Sequence, residues 1–444
     1  MIPIPRLKPD GAAILNTALA ATGVPGTLAV ANAEGILFSG TTGPFDPLKP
    51  DSRALKEDDL MWFASTTKLL TSICYLQLVD RGLLTLDTDM RTKFAPLDEA
   101  ASKIIVGFEK DDTPIYKPNT EPVTLLSFLN LTCGFGMEYG PTVMRHKKRA
   151  AKGRGFVNSC KVENLIHTPL CFEPGTSFQY GNSFDWLGLM LPHLTGTSSE
   201  DYLQDNILKP LGLKATTFFP FGPDWDDRLM PLRWRRSDGV FQAIDRKSPA
   251  AMLMLPRKEE IEYVVGGGAA YSTSHDYAVI LQHLLAHYVA IHNGAPRPAN
   301  PILSDKSVES LFNPTLPESA IEDVAECVTH VLGEAIAPGE ADWTTATAIY
   351  TPHDGRRRPC LGMPGRHAGS IGWGGAAGTL YWIDLKAGIA GGRGTYHICY
   401  LDSDVLRATG TSIHGVGDRV SLPTELVAEL VRAAACLWSS EMEG

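Results

Sequence analysis

Apolar positions in the first part of the chain follow two periods. Ile14, Leu15, Ala18 and Leu19 recur at helical spacing, which predicts a short amphipathic helix with one face laid on a sheet and Asp10 placed to cap its start. After the turn at Gly23 to Gly26, TLAVANAEGILFSG reads as two short strands joined at Asn32 to Gly35, an antiparallel hairpin. From Ser65 to Arg81 the pattern changes again: Leu69, Leu70, Ile73, Cys74, Leu76, Leu78 and Val79 crowd a helix that Gly82 stops. That helix is mostly buried, with Ser65 at its N-terminal end.

Between about residues 95 and 260, Pro and Gly breaks separate helical segments such as Val123 to Leu131 and Trp186 to Leu194, with little strand alternation. Beyond Tyr263, GGGAAYSTSHDYAVILQHLLAHYVA gives a turn and then a long helix capped near Ser272 or Ser274. Strands are expected at GTLYWID and TYHICYL, and a final helix at Thr424 to Trp438. The fold class is therefore α+β. Residues 1–60 and 262–444 are expected to form a part with a central antiparallel sheet flanked by helices. Residues 61–261 are expected to form a mainly helical part that carries the Ser65 helix and the loop around Tyr180, with the site in the cleft.

Composition narrows the function classes. The 444 residues, 44% hydrophobic and 20% charged, suffice for a large core. A net charge of -10 disfavours a general nucleic-acid binder, which needs a basic surface to displace counterions. The eight cysteines form no C-x-x-C pair and no zinc spacing, so free thiols in a reducing compartment are expected. Asp10 and Asn16 interrupt the apolar run that follows Arg6 and Lys8, so that run reads as a capped helix rather than a signal peptide. No stretch is apolar for long enough to span a membrane, and a cytoplasmic protein is the expectation.

The candidate chemistry starts at Ser65-Thr66-Thr67-Lys68. Positions three apart share a helix face, which brings the Lys68 amine within reach of the Ser65 hydroxyl. A serine hydroxyl is a weak nucleophile that needs an adjacent base, and a desolvated lysine amine can be that base. Tyr180-Gly181-Asn182 follows EPGTSFQ and is the only Y-x-N in the chain. A phenol there can pass a proton to a leaving group, while Asn182 can orient Lys68 and a substrate carbonyl or amide. Taken singly, each has a plainer reading: a helix cap with a solvated lysine, and a core tyrosine bonded to backbone. The third element is HAGSIGWGGAAGTLYWID, where small residues before a strand let its edge approach a substrate, so that a strand N–H can join the Ser65 N–H as an oxyanion hole.

In that order, these three elements resemble the class C branch of the serine β-lactamase and penicillin-binding-protein superfamily in its broad sense, which includes family VIII carboxylesterases, D-amino acid peptidases and lovastatin-type acyltransferases. The resemblance spans nearly the whole chain: FASTTKLLTSICYLQLVDRGLLTLD is similar to the nucleophile helix, VTLLSFLNLTCGFG to the T-S-G segment, and FEPGTSFQYGNSFDWLGLMLPHLTG to the tyrosine loop. It implies a β-lactamase/DD-peptidase-like fold. It also implies that Ser65 is the nucleophile, Lys68 its base partner and Tyr180 a second base and proton shuttle. The lysine-threonine-glycine box of true β-lactamases is missing. Its place falls to Trp373-Gly374-Gly375, as in similar esterases, or to His367-Ala368-Gly369. The tryptophan version keeps the spacing to the strand, and it makes the Ala376 N–H the second oxyanion donor. Two further departures are Leu131 and Cys133, where the family's T-S-G segment has histidine and serine.

The expected activity is acyl transfer through an acyl-Ser65 ester, from a bulky apolar or polyketide-like ester or thioester to water or another acceptor. Trp373 would serve as an aromatic wall of the cleft. The alternatives are a D-amino acid amidase or peptidase, a β-lactamase-like hydrolase, and a non-catalytic scaffold on the same fold. No cofactor or metal motif is present: Gly372, Gly374 and Ala377 fit a dinucleotide fingerprint only loosely, and the histidines lack zinc spacing. The basic run Arg145 to Arg154 reads as a solvated helical face or as a docking patch for an acyl carrier protein or coenzyme A donor.

Overall fold

A computed structural model describes residues 1–136, 140–150, 160–235, 239–244, 257–332, 336–351, 358–360, 363–395 and 397–398. The helix expected at Thr424 to Trp438 lies outside the described residues, as do the end of TYHICYL and residues 151–154 of the basic run.

Both ends of the described chain build one antiparallel sheet. β1 (Gly26–Asn32) and β2 (Gly35–Thr42) form the hairpin that the two short apolar runs predict, turning at Asn32 to Gly35. They join β3 (Ala341–Trp343), β4 (Ala348–Tyr350), β5 (Ile371–Gly375), β6 (Thr379–Asp384) and β7 (Ile389–Thr395) in the order β2-β1-β7-β6-β5-β4-β3. Every residue of β1 and β6 is buried, so these antiparallel strands have no polar face to water. Helices cover both sides.

On one side α1 (Gly11–Ala21) sets Leu15 and Leu19 against Leu28, Val30, Phe38, Leu380 and Trp382. The apolar face is the one its period predicts, but the Asp10 side chain makes no capping bond. On the other side lies α5 (Ser274–Asn293), whose Tyr277 ring packs 5.5 Å from Tyr381. Its cap is Thr273, one residue from either expected position, accepting from the Asp276 N–H.

The inserted stretch holds α2 (Thr67–Asp80), α3 (Leu125–Leu129) and α4 (Ser183–Thr195). Residues Thr67 to Leu78 of α2 are all buried, which is why its sequence lacks a polar stripe. The sequence shows little strand character here, yet Lys103–Phe108 and Pro114–Pro118 pair as a hairpin. A register shift between Ile105 and Gly107 breaks the alternation that would have revealed it. α6 (Ile321–Leu332) closes this side, its Asp323 carboxylate accepting from the Phe178 N–H.

Candidate active site

Ser65 sits in a 3₁₀ turn, Ala64–Thr66, that leads into α2, two residues before the regular helix begins. Ala64 is held at φ 47°, left-handed backbone that costs an alanine about 1–2 kcal/mol. The surrounding bonds hold it there. The Phe63 carbonyl accepts from the Thr66 N–H at 3.2 Å and hydroxyl at 2.7 Å, the Ala64 carbonyl from the Thr67 hydroxyl at 2.5 Å, and the Thr66 carbonyl from the Tyr277 hydroxyl at 2.7 Å.

Lys68 is only 5% exposed. Its Nζ donates to the Gly267 carbonyl at 3.0 Å and stands 4.5 Å from the centroid of the Tyr180 ring. The i to i+3 spacing puts Lys68 on the face of Ser65, but no hydrogen bond joins the two side chains in this structure. The space is tight: a Cβ on Gly267 would stand 3.1 Å from both Lys68 Nζ and Asp185 Oδ1. Asp185 was not singled out in the sequence, and Gly267, within the GGG run read as a turn, was given no part beside Lys68.

Tyr180 follows Phe178 out of the loop and into α4. Its hydroxyl oxygen accepts from the Trp373 indole N–H at 2.9 Å. Trp373 is 1% exposed and packs edge-on to Trp343, with ring centroids 4.8 Å apart. It therefore forms no open wall of the cleft, contrary to the sequence expectation: it shares the inner face of β5 with fully buried Ile371, two residues before it. Asn182 forms no hydrogen bond to Lys68 in this structure. Its side-chain amide donates to the Gly136 carbonyl at 3.4 Å and its own carbonyl starts α4, while Lys68 is oriented by Gly267.

Two places were open for the third element. His367 is bonded through Nδ1 to the Asp384 carboxylate at 3.0 Å, at the end of β6 that pairs with Ile371. The other end of β5 meets the nucleophile turn: a Cβ on Gly375 would collide with the Phe63 carbonyl and stand 3.2 Å from the Ala64 Cβ. The structure thus brings Trp373, Gly374, Gly375 and the following Ala376 to the Ser65 side and leaves His367-Ala368-Gly369 at the far end. Pairing with β4 stops at Gly372, so from Trp373 onward that edge of β5 has no partner from β4.

The five cysteines whose side chains are described offer no rival nucleophile. Burial pushes Cys74, Cys160 and Cys327 up to about 12 and Cys133 and Cys171 up to about 11, far from the thiolate that reactive cysteines need. Cys133, where the family has serine, contacts the Ser183 hydroxyl at 3.1 Å, and Leu131 is fully buried at φ 64°. In the basic run, Arg145 pairs with Asp112 and lies 4.6 Å over the Phe108 ring. Among the described residues, no group of three or more His, Cys, Asp or Glu could hold a metal, and no helix is long and apolar enough to cross a membrane.

The acyltransferase calJ of Penicillium decumbens is 27% identical over 371 residues, 80% of this chain and 79% of that protein. A lovastatin esterase of Penicillium rubens is 26% identical over 83% of this chain and 88% of its own length, and the esterase EstB of Burkholderia gladioli 25% identical over 85% and 87%. Among solved structures, unliganded simvastatin synthase from Aspergillus terreus has a TM-score of 0.75 at 21% identity, covering 98% of this chain and 100% of that one. A penicillin-binding protein homologue from Caulobacter crescentus has a TM-score of 0.63 at 16% identity, covering 98% and 100%. These two likenesses are ones of fold. The Beta-lactamase family model matches residues 13–393, and the chain belongs to that family.

Proposed function

We propose that this enzyme transfers acyl groups through an acyl-Ser65 ester, taking a bulky apolar or polyketide-like ester or thioester as donor. The observation that supports this most is the meeting of three separate segments: the turn and helix start bearing Ser65 and buried Lys68, the loop bearing the Tyr180 phenol, and the edge of β5. Ser65 Oγ attacks the donor carbonyl and gives its proton to the Lys68–Tyr180 pair. The resulting oxyanion is held by the Ser65 and Ala376 N–H groups, and the pair protonates the departing alcohol or thiol. Water or a second alcohol then attacks the acyl ester by the same steps in reverse.

Trp373 occupies the position where a β-lactamase has lysine, and its single N–H is already given to Tyr180. That leaves no cation at this position for a substrate carboxylate, which favours neutral esters over penicillins. The relative named a lovastatin esterase supports the donor class.

Intact-mass spectrometry with a fluorophosphonate probe tests the reading. One adduct on the wild type and none on Ser65→Ala is expected, with p-nitrophenyl esters cleaved and penicillins turned over weakly. Absence of any adduct would favour a scaffold without catalysis. Lys68→Ala and Tyr180→Phe should each lower ester turnover by about a hundredfold.

A further inference from the structure

We propose that Thr379 is a positioning residue for acyl transfer, its hydroxyl fixing the nucleophile turn against the strand that supplies the second oxyanion donor; this rests on the acyl-Ser65 reading above. Thr379 opens β6 and pairs with Gly375 across the sheet. Its hydroxyl is buried and donates to the Phe63 carbonyl at 2.9 Å, a bond between residues 316 positions apart. The same carbonyl accepts two bonds from Thr66, but those lie inside the turn and move with it.

The Thr379 bond ties the turn to the sheet, at the point where the two are pressed closest. Gly375 has no room for a Cβ, which would strike both the Thr379 hydroxyl and the Phe63 carbonyl. The next residue after Phe63 is Ala64, held in left-handed backbone at φ 47°. A strained alanine relaxes by rotating its flanking peptides, and the Ala64–Ser65 peptide carries the Ser65 N–H. Pinning the Phe63 oxygen to Thr379 resists that rotation. It also fixes the distance from the Ser65 N–H to the Ala376 N–H just beyond Gly375. Oxyanion stabilisation depends on donors preorganised to within a fraction of an ångström.

The test compares Thr379→Val, which keeps the shape and removes the hydroxyl, with Thr379→Ser, which keeps the hydroxyl and removes the methyl. On a short p-nitrophenyl ester, Thr379→Val should lose about tenfold to a hundredfold in kcat. Its KM should change by less than about twofold, and Thr379→Ser should stay within about threefold of the wild type. Wild-type kcat in Thr379→Val would overturn the proposal. So would a serine variant as slow as the valine one, since methyl packing would then be what matters. If the valine variant does not fold, Thr379→Ala carries the same expectation without added bulk near Gly375. Ser65→Ala is measured alongside: activity retained there would defeat the acyl-Ser65 reading itself, an outcome no change at Thr379 can mimic.

Discussion

The Trp373 indole N–H donates to the Tyr180 hydroxyl at 2.9 Å, joining a sheet residue to one on the helical side 193 positions away. An indole can only donate, so the phenol oxygen accepts and its own O–H stays available to the reacting atoms. Lys68 Nζ lies above the same ring at 4.5 Å. Tyr180 is thus fixed at its oxygen from one side and at its ring face from the other.

Trp373→Phe removes the donor and keeps an aromatic ring in the buried slot. Turnover of a p-nitrophenyl ester is expected to fall about tenfold or more per folded molecule, with KM nearly unchanged, because the phenol loses its fixed direction. Steady-state kinetics on the purified variant, with folded fraction checked by circular dichroism, decides this. Full activity would mean that packing alone orients Tyr180.

A tighter constraint surrounds Lys68. Gly267→Ala would place a methyl 3.1 Å from Lys68 Nζ and from Asp185 Oδ1, so the amine must move away from the carbonyl that holds it. Loss of kcat by about tenfold or more is expected, with a fall in melting temperature smaller than that of a core deletion. A variant with wild-type kcat would show that Lys68 works from more than one position.

Much of this site is legible in the sequence because helix and strand periods are local. Ser65 and Lys68 follow from i to i+3 spacing, and the tryptophan register follows from the distance between Trp373 and the strand Thr379–Asp384. Gly267 is not legible, since its part is to leave space for an amine 199 positions earlier. Neither is the left-handed Ala64, because alanine carries no signal for that backbone. Trp373 misleads for a different reason: its neighbours are all small, which suggests an open cleft, whereas strand alternation turns its ring inward beside Ile371. In the fold, the hairpin Lys103–Phe108 with Pro114–Pro118 escapes notice because it is short, shifted in register and bounded by prolines.

Stability should fall on mild acidification, through His283 on α5. Burial, with neighbouring His287 adding to it, lowers His283 from 6.5 to about 4. Its Nε2 accepts from the Ile302 N–H at 3.3 Å, which requires the neutral ring. Above about pH 6.5 the ring is neutral whether folded or not, and nothing is lost. As pH falls below that, the unfolded chain binds a proton that the folded one refuses until about pH 4, so stability drains across this window by up to about 3 kcal/mol. Melting temperatures of the wild type and His283→Gln between pH 7.5 and 5 check it. The variant is expected to be less stable at pH 7.5 and flatter with pH, and equal slopes would remove His283 as the cause.

The fate of the acyl enzyme decides between hydrolysis and transfer, and the two differ only in what attacks acyl-Ser65. Water is present at high concentration, so transfer dominates only where an acceptor is bound and oriented beside the ester, where effective molarity can reach about 10⁵ M or more. Trp373 and Trp343 are buried, so an apolar lining beside the acyl ester would come from other residues at the edge of β5, such as Ala376, which is partly buried against the cluster of Leu60, Trp62, Ala64, Leu232, Tyr271 and Ala377. That edge has no partner from β4 beyond Gly372, so its backbone N–H and C=O groups are the ones an acceptor alcohol would pair with. The measurement is to form acyl-Ser65 with a thioester donor and follow its decay by intact mass, with and without polyketide alcohols. Transfer predicts decay that accelerates with alcohol concentration, saturates, and yields the new ester in proportion. Decay indifferent to every alcohol, beside fast cleavage of a natural-product ester, would make the enzyme a plain hydrolase. Ala376→Leu should then separate binding from chemistry, since added bulk at the β5 edge raises the alcohol concentration needed for half-maximal decay while the water reaction changes less.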